Sequence, residues 1–100
     1  MALQGFEIVA ASQTDQVLGG TGSIGDQIDF LLVIPASTSP GAVSITNGAG
    51  SPMTIFAGGA TSVGSLAPFP VPLGNIRSTT GPWKVTTGPN VSVLAVGDFT

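Results

Sequence analysis

The stretch Trp83-Lys-Val-Thr-Thr-Gly-Pro-Asn-Val-Ser-Val-Leu-Ala-Val96 decides the fold class. It holds two short runs rich in β-branched residues, 83–87 and 91–96, parted by Gly88-Pro89-Asn90. In an extended chain alternate residues share a face, so Trp83 and Val85 fall together on one side. Gly, Pro and Asn between such runs set turn geometry and stop either run from continuing. The same grammar recurs outward through Gly81-Pro82, Gly74-Asn75, Gly58-Gly59, Asn47-Gly48, Ser39-Pro40-Gly41 and Gly19-Gly20. Turns about eight to twelve residues apart, with β-type runs between them, mark an all-β sandwich or barrel.

The expected strands are 6–11, 27–34, 43–46, 53–57, 66–73, 76–79, 83–87 and 91–96. Val43 and Ile45 share one side of their strand, as do Met53, Ile55 and Ala57 of theirs. The apolar run 30–34 suggests burial on both faces near the end of its strand. Asn47-Gly48 is a hairpin signal, although the loop runs on to Pro52. Ser12-Gln-Thr-Asp15 could cap one helical turn, which Gly19-Gly20 would stop at once, so a turn or a single helical turn is expected there. The fold expected is a single domain over 1–100, a small antiparallel β-sandwich or jelly-roll-like barrel of about 7–8 short strands. The N-terminal segment 1–10 is expected to be an arm or an edge strand contacting a neighbour.

Pro68-Phe-Pro-Val-Pro-Leu73 has its own geometry. Prolines at alternate positions remove backbone donors from one edge only, while Phe69, Val71 and Leu73 keep theirs on the other. Such a segment pairs on one side and refuses a further strand on the other. It reads either as an edge strand protected from aggregation or as an arm laying Phe69, Val71 and Leu73 on a neighbouring subunit. The candidate interface is therefore Phe6, Pro68, Phe69, Pro70, Val71, Pro72 and Leu73.

Charge narrows the function. Charged residues make up 7% of the chain, against about a quarter in an average soluble domain. None lies between Asp29 and Arg77. The 42% apolar content suffices for a core and disfavours disorder. A mean hydropathy of +0.50 suggests that a partner covers part of the apolar surface. Two cations, Arg77 and Lys84, cannot supply the basic footprint that nucleic acid or an anionic membrane requires. Without a cationic, apolar leader in the first residues, synthesis and assembly in a cytoplasm are expected.

Chemistry-bearing motifs are few. There is no His and no Cys, which removes the usual nucleophile–base pairs. Asp26 and Asp29 stand three apart, a spacing that points them to opposite faces of a strand. No calcium-loop pattern surrounds them, and no cofactor or metal is expected. Gly20-Thr-Gly-Ser-Ile-Gly25 matches a dinucleotide fingerprint by letter, but the residues after it read as strand rather than helix. Asn90-Val-Ser92 fits a glycosylation sequon that a cytoplasmic chain would not use. The alternation around Trp83 favours core packing. The chain is not expected to be an enzyme.

Three stretches, 10–22, 32–45 and 83–96, share one character, being β segments rich in Gly, Ser, Thr and Ala with neither Cys nor His. In this the chain resembles virion structural proteins of tailed bacteriophages, and more narrowly their head decoration, or cement, proteins. The resemblance implies a β-sandwich or jelly-roll subunit on the capsid exterior, often a homotrimer, bound to the major capsid protein and bridging capsomers. It carries no catalytic residues. Short uncharged side chains suit that role, because they desolvate and lose rotamer freedom at low cost. The alternative is a tail or baseplate β-sandwich module that binds host-surface glycan or another tail protein, and the glycan form of it expects an exposed Trp83.

Overall fold

The structure, a computed structural model, describes residues 4–100. These form β1 (Gln4–Val9), β2 (Gln16–Val17), β3 (Gln27–Pro35), β4 (Val43–Asn47), β5 (Met53–Phe56), β6 (Phe69–Arg77), β7 (Trp83–Thr87) and β8 (Val91–Phe99). There is no helix among the described residues. The segment after Ser12 is a turn leading into the two-residue strand β2, which pairs with β7. The two strands expected over 66–73 and 76–79 are one strand, β6, which passes through Gly74 and Asn75 at φ of 78° and 58°. Of the N-terminal segment 1–10, residues 1–3 lie outside the described residues, and the rest is mainly the edge strand β1.

The pairing has a single logic. β1 pairs with β8, β2 with β7, β3 with β6 and β4 with β5, all antiparallel. Those nested pairs are what one long hairpin would make. Rolling that hairpin brings β8 against β3 and β7 against β4. The result is two four-stranded sheets, β1-β8-β3-β6 and β2-β7-β4-β5. This is the strand order of a jelly roll, a double-sheet way of limiting free edges.

Alternation places the core. β8 reads inward at Val91, Val93, Ala95, Gly97 and Phe99, and β7 at Trp83, Val85 and Thr87. Side chains from both sheets, with Leu18 of the β2–β3 connection, meet in one buried cluster. Each fully buried Val, Leu or Ile there contributes about 1.5–3 kcal/mol. Trp83 is buried among them, and its indole Nε1 donates to the Asp26 carbonyl at 3.0 Å, tying the second sheet to the start of β3.

β3 carries a bulge at Asp29. Ile28 pairs with Gly97 and Phe30 with Val96, so Asp29 is an extra residue in the ladder. The bulge changes the phase of the strand. Ile28 points inward, Phe30 outward, and Leu31 inward again. The close approach leaves no room on β8, where a Cβ at position 97 would collide with the Gln27 carbonyl oxygen and lie 2.9 Å from the Ile28 Cα.

The loops knit the two ends of the roll. At one end Asn47 clasps the β6–β7 loop: its Oδ1 accepts from the backbone N–H of Thr79 and Thr80, and its Nδ2 donates to Thr79 Oγ1. At the other end Gly41 and Gly88 cross closely, with a Cβ on Gly41 falling 2.7 Å from the Gly88 Cα. Backbone bonds from Gly41 to Pro89 and from Gly88 to Ala42 fix the crossing.

Gly97→Ala should lower stability by about 2 kcal/mol, roughly 10 °C in melting temperature, because the clash is with backbone that cannot swing away. Asn47→Ala should cost about 1 kcal/mol, its bonds being partly exposed to solvent. Thermal melts followed by circular dichroism check both, and an unchanged midpoint for Gly97→Ala would contradict the close approach.

Candidate functional site

The outer faces of the two sheets differ in kind. On the first sheet, pairing aligns Phe6 with Val96, Val96 with Phe30 and Phe30 with Pro72. The next row runs Ile8, Leu94, Leu32, Pro70 by the same pairings. Directly opposed residues in an antiparallel ladder share a face. The row between them, Glu7, Ala95, Leu31, Val71, therefore points inward, with Ala95 and Leu31 fully buried. Both outward rows are apolar across four strands. Ile34 extends the patch beside Ser92.

These side chains are not core. Phe6 is 56% exposed and Ile8 66%, Pro70 and Pro72 are exposed, and Phe30, Leu32, Ile34, Leu94 and Val96 are half-buried. They shield one another in a flat layer with one side open. One end of the face closes with the polar row Asp98, Gln27, Arg77. A contiguous apolar patch with a polar rim is the signature of an interaction surface.

The second sheet shows hydroxyls instead. Its outward rows are Thr86, Ser44, Thr54 and Val17, Lys84, Thr46, of which Thr54 is exposed, Thr46 buried and the rest half-buried. Thr86 Oγ1 lies 2.9 Å from the Asp15 backbone N–H, accepting its hydrogen bond.

The expected interface residues separate by face. Phe6, Pro70 and Pro72 lie on the open apolar face, and Pro68 is exposed in the loop before β6. Phe69, Val71 and Leu73 pack against the chain's own core, and Phe69 meets Phe56 edge to face at 5.4 Å. Residues 69–73 thus lie on an edge strand, with Phe69, Val71 and Leu73 turned toward the chain's own core. Alternation sends the prolines outward, and the same alternation commits the three larger side chains inward. Sequence reasoning missed Ile8, Phe30, Leu32, Leu94 and Val96 as members of this face. Their alternation was visible, but the register that lines them up across strands was not.

The acidic residues have separate structural tasks. Asp26 is buried; Oδ2 accepts from the Thr100 N–H at 2.9 Å and Oδ1 from the Thr100 hydroxyl at 2.7 Å. Asp29 accepts from Gln27 Nε2 at 2.8 Å. Glu7 faces the Gly19 N–H and Gln16 Nε2. Among the described residues, no three acidic side chains gather as a metal cluster, and no buried side-chain nitrogen or oxygen lacks a hydrogen-bond partner.

The segment 20–25 is a loop between β2 and β3, wrapped on Thr100 through the Gly20 N–H. A strand comes after it, so the helix N-terminus that a pyrophosphate needs is not there. An open concavity of about 460 Å³ lies beside this loop, between Thr21, Ala49, Pro82 and Lys84. Its lining includes no aromatic ring. No protein-family model, no curated protein and no solved structure matches the chain.

Trp83 should emit at short wavelength and resist quenching by acrylamide. A red-shifted, readily quenched emission would contradict its place in the core.

Proposed function

We propose that the protein is a structural interaction protein, and specifically a capsid decoration protein that stands on the outside of a phage head and stabilises contacts between capsomers. The observation that carries the reading is the open apolar face of the first sheet, set on a roll whose other broad face is hydroxyl-rich and nearly uncharged. Such a surface loses little on desolvation and gains by contact, as an assembly protein requires. The jelly roll is used by viral capsid proteins, and by lectins and cupins as well, so the fold supports the reading without deciding it. The glycan-binding alternative loses its aromatic platform with Trp83 in the core.

Such an assembly uses two kinds of surface: the apolar face for a lasting partner, and the Gly-rich loops with the hydroxyl-rich second sheet, which carries Lys84, for the major capsid protein. Many copies on one shell make a small gain per copy sufficient. At a hundred-fold excess over Kd, binding stabilises each site by about 2.7 kcal/mol. Heads carrying the protein should survive heating or low salt that opens bare heads, as followed by release of packaged DNA. No binding to expanded shells, or equal resistance with and without the protein, would overturn the proposal.

A further inference from the structure

We propose that the apolar face of the first sheet is covered by the same face of a second copy, giving a two-fold dimer of sandwiches. This rests on reading the face as an interaction surface and names its occupant.

Area, shape and charge favour a second copy. Four strands about 4.8 Å apart and roughly 25–30 Å long, apolar rows and polar row together, present on the order of 500 Å². Pairing two such faces buries about 1,000 Å², the size a specific interface should clear. Homodimer interfaces are also the more apolar kind, whereas contacts made after folding, such as docking on a shell, are more polar. The contrast between an apolar first sheet and a hydroxyl-rich second sheet follows that division of labour.

The two edges of the face carry side chains of different size. Its β1 edge carries the long side chains Phe6 and Ile8, and its β6 edge the short rings of Pro70 and Pro72, all four exposed. A two-fold axis in the interface, parallel to the strands, lays β1 of each copy over β6 of the other, long side chains on short ones. The sheets then pack about 10 Å apart. The same axis brings each Arg77 within one strand of Asp98 of the other copy, and these two attractions outnumber the one approach it makes between the two Asp98 carboxylates. A three-fold ring would set this face against a different surface, and the described residues offer no second apolar face.

The test is the oligomeric state of the isolated full chain, measured by sedimentation equilibrium with folding followed by circular dichroism. The unaltered protein should be a dimer in the micromolar range. Ile8→Lys, on an exposed edge position, should keep the fold and weaken pairing at least about a hundred-fold, because it sets an unpaired cation in an apolar seam. Leu32→Lys should do the same at the centre of the face, and Thr54→Lys on the second sheet should leave the dimer intact. Asp98→Arg should weaken pairing several-fold, and adding Arg77→Asp should restore it. A monomer or trimer, or a folded Ile8→Lys variant that still pairs, would overturn the inference, and failed restoration would overturn the direction of the axis. Shell binding is measured separately, so a dimer that ignores phage heads would count against the decoration role alone.

Discussion

The seam between β3 and β8 closes the roll. β8 pairs with β1 on one side and with β3 on the other, and the β3 pairing runs from Gln27 opposite Asp98 to Pro35 opposite Val91. Everything else hangs from it. β6 reaches the first sheet only through β3, and the second sheet lies over the inward side chains of both strands. The seam closes because position 97 has no side chain and Asp29 bulges where the two backbones approach. The bulge also sets which residues of β3 face outward. It turns Phe30, Leu32 and Ile34 away from the core, where an unbroken strand in phase with Ile28 would have turned them in.

That phase change links the fold to the proposed function. The inward rows make the hydrophobic core, and the outward rows of the same strands make a second apolar layer that none of the described residues covers. A strand apolar on both sides is normal in a sheet sandwiched between two layers. In a two-layer roll it leaves one layer open. On the proposed reading the outward half of the apolar run 30–34 meets a third layer that comes from outside the chain.

The scarcity of charge has two structural causes. Several acidic residues serve the architecture: Asp26 holds Thr100, Asp29 occupies the bulge with Gln27, and Glu7 receives the β2–β3 turn. The loops, meanwhile, are sealed by backbone bonds and close glycine contacts rather than by ion pairs, as at Gly41 and Gly88. A surface built this way is neutral by composition. On the proposed reading it packs against protein.

The all-β class, most strand positions, the inward Trp83 and the one-sided proline edge were determined by the sequence itself, because alternation, turn residues and proline's missing donor act locally. The merger of two expected strands into β6 was not legible, since Gly74-Asn75 reads equally as a turn or as a bend inside a strand. Nor was the place of Phe69, Val71 and Leu73, which could cover a neighbour or their own core until β3 supplied a partner. Only the tertiary structure decided that Phe6, Ile8, Leu94, Val96, Phe30, Leu32, Pro70 and Pro72 form one surface. The physical reason is register: residues far apart in sequence become neighbours only when antiparallel pairing fixes which positions stand opposite, and one bulge at Asp29 is enough to change the face they share.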